Sequence, residues 1–536
     1  MLNYLENFNT MKTNFYTALV LLFFMFQLNA IDAQQVVLMK DSTRTIAVDY
    51  KNSEIRSKVF QECVGAGRAN EGLRADWQQQ LTLAKKEIGF KYIRFHGLLH
   101  DDMYVYSEDE NGNPVYNWQY VDKLYDFLLS IGVRPFVELG FMPSALASDD
   151  KTVFWWKGNI TPPKSYEKWS ALITALVKHF EERYGRQEVE KWYFEVWNEP
   201  NLKEFFSSNR EEYFKLYEVS AKAVKSVSAT YRVGGPATSS STWMKEALEF
   251  FSYHPTLVDF ISTHAYGTKS VFDEFGKRRT QMREADGIPI AVRKLRKDVD
   301  ESPLKGREIH ITEWNSSPNP KDPLHDTYQN ASYALNVLKK TEHLVNSMSY
   351  WTFSDIFEEA GPPVTPFHGG FGLMTLQSVK KPTYYAYKFL NSLGDTELIN
   401  KDASSWVCKD KNGNIQALFW NYTLLSPDSS YNQQFYSRLI LPVNLGRVSL
   451  NVINVPNGKY KMLVFRTGFK KNDSFTAYKE MGAPTSLSVN QELAIKKASD
   501  GTADISEFVE VKGGKLLKTF EMRENDVFFV QFSKIQ

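Results

Sequence analysis

Between residues 57 and 392 short, nearly continuous apolar runs alternate with longer stretches whose apolar positions recur every three or four residues. The short runs, at 63–67, 92–97, 134–140, 192–197, 232–238, 258–266, 308–313 and 349–353, predict strands. Helical patterns over 73–88, 121–131, 166–184, 210–227 and 328–345 lie between them. Eight strands separated by helices predict an α/β fold, a (β/α)₈ barrel, whose chemistry is expected at the C-terminal ends of the strands.

Past residue 394 the texture changes. Runs at 406–408, 415–422, 435–441, 448–455, 460–466 and 527–532 are short and alternating, with turns such as Asn412-Gly413-Asn414 and Asn457-Gly458 between them. They predict an accessory C-terminal β-sandwich. Residues 35–56 also read as strands and are expected to join that sandwich. Ahead of them lies a leader-like segment, with Lys12, an apolar run from Ala18 to Leu28, then Asn29-Ala30-Ile31-Asp32-Ala33-Gln34. This is the pattern of a signal peptide, too short to span a bilayer. The expected plan is therefore a signal peptide at 1–33, N-terminal strands at 35–56, a catalytic barrel at 57–392 and a sandwich at 393–536. Export to a periplasm or the outside is expected, with no membrane insertion once the leader is removed.

A length of 536 residues suits a large barrel with one smaller domain. The 12 Trp, 28 Tyr and 37 Phe build a large core, and they also suit a cleft in which rings stack on the apolar faces of sugars. The 64 basic and 63 acidic residues leave a net charge of +1, which gives no electrostatic footprint for nucleic acid. Cys63 and Cys408 make no disulfide framework, and no clustered Cys/His motif suggests zinc. Neither a metal nor a cofactor is expected, and the two thiols are expected to be buried and unreactive.

The chemistry is carried by two strand ends. The run Trp192-Tyr193-Phe194-Glu195-Val196-Trp197 stops at Asn198-Glu199-Pro200, where proline halts the ladder. A second strand, Glu308-Ile309-His310-Ile311-Thr312, stops at Glu313. Two carboxylates on two strand tips are the minimum machinery for hydrolysing a glycosidic bond. The other tips offer hydrogen-bonding groups or aromatic rings: Arg94-Phe95-His96, His264-Ala265-Tyr266 and the segment from Trp351 to Glu359.

These segments resemble glycoside hydrolase family 39, the family of β-xylosidases and α-L-iduronidases. The resemblance rests on Val64-Gly65-Ala66-Gly67-Arg68-Ala69-Asn70-Glu71-Gly72, Arg94-Phe95-His96-Gly97, Glu195-Val196-Trp197-Asn198-Glu199-Pro200 and Tyr350-Trp351-Thr352-Phe353-Ser354-Asp355. It implies that Glu199 is the general acid/base and Glu313 the nucleophile of a retaining, two-step mechanism, with their carboxylates roughly 5–5.5 Å apart. It further implies that Asn198 meets the sugar 2-hydroxyl, that His96 and His264 line the same subsite, and that Tyr266 orients Glu313. Glu358 and Glu359 are candidates for ring hydroxyls, although neighbours on a strand cannot face one way. Phe353 or Trp314 is expected as the stacking floor. Arg68 and Arg94 are read as partners that hold carboxylates.

An iduronidase needs cations for its substrate carboxylate, whereas a xylosidase needs a snug, neutral wall beyond C5. The stretch Gly361-Pro362-Pro363-Val364-Thr365-Pro366-Phe367-His368-Gly369-Gly370 reads as such a wall, favouring an exo-acting β-xylosidase on an oligosaccharide substrate. The alternatives are an iduronidase-like activity, or one on arabinose- or galactose-containing chains. A non-catalytic carbohydrate-binding protein would lack one of the carboxylates. A metal-dependent barrel hydrolase would want His-x-His on its first strand, which 63–67 does not offer. Asn315-Ser316-Ser317 matches a glycan acceptor, and a glycan there would block the cleft.

Overall fold

The computed structural model describes residues 43–424 and 431–535. The leader, and residues 35–42 of the N-terminal stretch, lie outside the described residues.

Eight strands, Cys63–Arg68, Tyr92–His96, Arg134–Leu139, Tyr193–Val196, Arg232–Ser239, Phe260–Tyr266, Glu308–Asn315 and Ser347–Tyr350, pair in parallel and close on themselves. They are called barrel strands one to eight below. Nearly every residue in them is buried, because barrel packing covers one face and helices the other. The helices include Ala75–Ile88, Gln119–Ser130, Tyr166–Tyr184, Arg210–Val227, Tyr328–Thr341 and Pro382–Ser392. Local chemistry sets their ends. Ser165 and Asn209 accept from the backbone N–H of Lys168 and Glu212, and Gly89 stops the first helix at φ 89°.

The N-terminal mouth of the barrel is plugged by rings. Phe136 stacks on Tyr193 at 4.8 Å, and Phe260 and His310 close against both edge-on. A plugged base leaves the opposite end as the place for a cleft.

In the accessory module, Thr43–Asp49 pairs in parallel with Asn444–Ile453, which pairs antiparallel with Leu516–Arg523. This three-stranded sheet faces a seven-stranded one that runs from Ser53–Ile55 at one edge to Ile505–Val511 at the other. Ile46, Phe419, Leu450 and Phe528 share the core between them. The module joins the barrel through apolar contact: Phe389 of the last barrel helix stacks on Phe529 at 5.4 Å and 12°.

The predicted strand at 435–441 does not form. The chain there makes a short 3₁₀ turn, Gln434–Ser437. Its apolar residues pack on the barrel instead, Tyr436 being buried in the barrel core and the Ile440 carbonyl accepting from the Tyr328 hydroxyl. The strands Ile505–Val511 and Leu516–Arg523, and the helices Ser474–Glu480 and Val489–Ala498, were not anticipated from the hydrophobic pattern. No described helix is long and apolar enough to cross a membrane. Cys63 and Cys408 are both free and buried.

Candidate active site

A cavity of about 710 Å³ opens at the C-terminal ends of the barrel strands, a size suited to a small-molecule ligand. Beneath its floor lies Arg94 of strand two, fully buried. Its guanidinium meets Glu195 at 2.5 Å, Glu313 at 2.7 Å and Glu138 at 2.9 Å, and donates to the Asn198 amide oxygen at 3.0 Å. Burial disfavours its charge, but the three carboxylates outweigh that and hold it protonated. With its oxygen taken, Asn198 turns its NH₂ donor away from the arginine.

Glu199 reaches the cavity through a kink at the end of strand four. Trp197 and Glu199 both lie at positive φ, 70° and 42°, conformations that cost of order 1 kcal/mol each. The Glu199 N–H bonded to the Ala237 carbonyl and the Trp197 indole bonded to that of Phe205, both at 2.9 Å, hold the kink in place. The Glu199 carboxylate is hydrogen-bonded to His264 Nδ1 at 2.9 Å.

Glu313 stands on strand seven beside a bulge. Pairing with strand six slips there so that His264 lies opposite Glu313, while pairing with strand eight jumps from Ile311 to Trp314. Such a bulge re-aims side chains. Glu313 receives Arg94 on one oxygen and the Tyr266 hydroxyl, at 2.8 Å, on the other. Burial alone would raise its pKa, but the fields of His264, Arg94 and His96 and the Tyr266 bond together lower it.

His96 meets Glu138 at 2.7 Å through Nδ1 and Glu359 at 3.5 Å through Nε2. Burial resists charging the ring, yet the two carboxylates push its pKa up to about 10. Burial, with Glu313 and Glu199 nearby, pushes Glu359 up to about 7 although His96 opposes it. The closest oxygens of Glu199 and Glu313, together with a His264 nitrogen, lie within 4.8 Å of one another. Among the described residues this trio is the one group whose donors could converge on an ion, and all three already have hydrogen-bond partners.

Thus His96, Asn198, Glu199, Tyr266, Glu313 and Glu359 line one cavity and His264 bonds to Glu199 and lies 3.5 Å from Glu313, while three other candidates lie elsewhere. Glu358, the neighbour of Glu359, is held outside by Arg68 at 2.8 Å and Arg74 at 3.1 Å. Trp314 points from strand seven into the outer layer, edge-on to Tyr350, because side chains alternate and Glu313 takes the inward direction. Phe353 packs edge-on against Trp77 of the first helix at 5.0 Å. The ring that lines the floor is Trp351 instead. It borders the cavity beside His96, with centroids 4.9 Å apart, and a Cβ on Gly65 would come within 2.3 Å of it.

The expected wall at 361–370 is also displaced. Residues 361–365 and His368 line a separate cavity of about 280 Å³. Buried Lys381 ties this region down, meeting Asp326 at 2.6 Å and Asp355 at 2.7 Å and donating to the Gly370 carbonyl. The wall of the main cavity comes from Phe371 and from a hairpin after strand six, Thr268–Phe272 with Arg278–Met282. Asn315 does not present its amide to solvent. It is buried and donates to the Trp351 carbonyl at 2.6 Å.

Comparison with known proteins identifies the family. The family model described as glycosyl hydrolases family 39 matches residues 45–515. A β-xylosidase of Geobacillus stearothermophilus is 41% identical over 82% of this chain and 86% of its own. The structure of the GH39 enzyme from Xanthomonas axonopodis pv. citri superposes with a TM-score of 0.89 at 38% identity, covering 94% of this chain and 99% of that one. That of a monomeric β-xylosidase from Caulobacter crescentus CB15 gives 0.88 at 36%, covering 92% and 100%. With its barrel, its paired strand-tip carboxylates and a match spanning most of its length, this chain belongs to glycosyl hydrolases family 39 and is a glycoside hydrolase.

Proposed function

We propose that the protein is an exo-acting β-xylosidase that releases terminal xylose with retention of configuration. The observation that carries the reading is the short gap between Glu199 and Glu313, whose nearest oxygens lie within 4.8 Å. Inverting enzymes hold their carboxyls about 6.5–9.5 Å apart to admit a water. The relatives that bear the name β-xylosidase support the choice of sugar.

Glu313, kept ionised by Arg94 and Tyr266, attacks the anomeric carbon. Glu199 gives its proton to the leaving oxygen, then takes one from the water that hydrolyses the glycosyl ester. His264 orients the Glu199 carboxyl, and Asn198 offers its NH₂ to the sugar 2-hydroxyl, a contact that tightens as positive charge develops on the ring. Glu359 and His96 meet the remaining hydroxyls over Trp351. Removal of a leader at 1–33, with export, belongs to the same proposal.

Aryl β-xyloside and aryl α-L-iduronide assayed side by side test the sugar. The xyloside is expected to be hydrolysed and the iduronide not, and the reverse would overturn the assignment. On an activated xyloside, Glu199→Ala should be rescued by azide to give the β-xylosyl azide. An α-azide, or full activity of Glu199→Ala on unactivated xylobiose, would sink the assigned roles.

A further inference from the structure

The hairpin wall is charged in a way that hydrolysis of a neutral disaccharide does not require. It brings Lys269, Arg278, Arg279 and Arg283 to the cavity and no acidic side chain. In a chain of net charge +1 this is a local excess. Arg279 is occupied by Asp273 at 2.9 Å, and Lys269 lies 3.7 Å from Glu284. Arg278 donates to the Ser270 hydroxyl at 3.0 Å. Among the described residues neither Arg278 nor Arg283 has a carboxylate within ion-pair distance.

The acids of the cavity, Glu199, Glu313 and Glu359, all lie at its floor. Those acids are matched at the floor by Arg94 and His96, whereas Arg278 and Arg283 on the hairpin have no such partner among the described residues, so an anionic group is attracted at the mouth. Because rings plug the barrel base, a bound chain leaves only outward, past the hairpin. The wall is also held in place. Asn432, from the far side of the sandwich sequence, accepts from the Thr280 N–H and hydroxyl, both at 3.0 Å, and donates its own N–H to the Thr280 carbonyl at 2.8 Å. Cations on a pre-positioned wall lose less freedom when they bind.

We infer that the hairpin forms a leaving-group subsite for an acidic oligosaccharide, a xylo-oligosaccharide bearing a uronic-acid carboxylate on a sugar beyond the scissile bond. Arg278 and Arg283 supply the forked donors that match a carboxylate. The inference rests on the β-xylosidase reading and concerns the sugars on the leaving side of the cleaved bond.

The test compares kcat/KM for three substrates: xylotriose, xylotriose carrying glucuronic acid on its reducing-end xylose, and the methyl ester of the latter. The ester keeps the bulk and removes the charge. The acid is expected to exceed its ester roughly fivefold at low salt, the upper worth of exposed ion pairs. The advantage should shrink as salt rises to about 0.5 M and should fall toward unity in Arg278→Gln/Arg283→Gln. An acid-to-ester ratio at or below one in the wild type, or a ratio unmoved by salt, overturns the inference even if the double variant fails to fold. A ratio unchanged in a folded double variant overturns it as well. If xylotriose and aryl β-xyloside are both left intact, the β-xylosidase reading itself falls. If they are hydrolysed and only the ratio fails, this inference alone does.

Discussion

Beneath the floor of the cavity Arg94 is fully buried and meets three carboxylates within 2.9 Å, whereas on the hairpin wall Arg278 is exposed and, among the described residues, its side chain bonds only to the Ser270 hydroxyl. Arg278 lines the cavity and Arg94 holds residues that line it, Glu313 and Asn198, and the two cations differ in what surrounds them. A buried charge survives only with its partners in place, so Arg94 fixes Glu313, Glu195, Glu138 and Asn198 in one arrangement. An exposed charge adds little to folding and stays available for a ligand. The barrel strands thus hold the chemistry rigid, while an inserted hairpin is left to recognise what lies beyond the reacting sugar.

Removing Arg94 should break the comparison most severely. Arg94→Met strands three buried carboxylates, and a loss of about 3–5 kcal/mol of stability is expected. Denaturant unfolding checks this, and a loss below about 1 kcal/mol would show that the floor does not depend on its cation. Glu199→Ala should leave stability nearly untouched while lowering kcat on unactivated xylobiose by about 10²–10⁴. Steady-state kinetics beside a thermal melt separates the two effects.

Gly65→Ala tests whether the Trp351 ring needs the space it occupies. The added Cβ would lie 2.3 Å from the ring, and overpacking of this kind costs about 1–3 kcal/mol. Higher KM with a lower melting temperature is expected, and unchanged values of both would refute the close fit.

The pH dependence of stability should follow the buried acids. Burial, with Glu358 adding, pushes the pKa of Glu71 up to about 8, and burial pushes that of Asp322 to about 7 and of Glu359 to about 7. Each keeps its proton in the folded state at a pH where the unfolded chain has lost it. Stability therefore falls as pH rises from the ordinary carboxylate range to about 8, by roughly 1.4 kcal/mol per pH unit for each such group within its window. His96, raised to about 10, continues the fall above its ordinary value. Melting temperatures across pH 5–8 should decline less steeply in Glu71→Gln, and an equal slope would refute this account of Glu71.

The smallest effect is expected on the wall. Asn432→Ala removes two hydrogen bonds to Thr280 and should cost about 1 kcal/mol or less. It should raise KM for oligosaccharides more than for an aryl xyloside, and equal changes would show that the hairpin does not touch the leaving group.

The barrel was legible because parallel strands buried on both faces read as unbroken apolar runs, and all eight lie within a few residues of their predicted positions. Glu199 and Glu313 were legible as strand ends. The floor ring was not, since whether Trp314, Trp351 or Phe353 faces inward depends on where the bulge in strand seven and the end of strand eight fall. The hairpin was missed for another reason. Its run of Lys and Arg resembles any solvated surface until it folds over the cavity. The wall expected at 361–370 failed because Lys381, distant in spacing from Asp326, draws that region aside.

Taken alone, then, the amino-acid sequence determined the barrel, the two carboxylates and their family resemblance, all of which rest on local periodicity and short motifs. Only the tertiary structure decided that Arg94 gathers Glu138, Glu195 and Glu313, that Trp351 is the floor, and that a cationic hairpin is the wall. Those assignments depend on contacts between residues tens to hundreds of positions apart, and no local pattern encodes them.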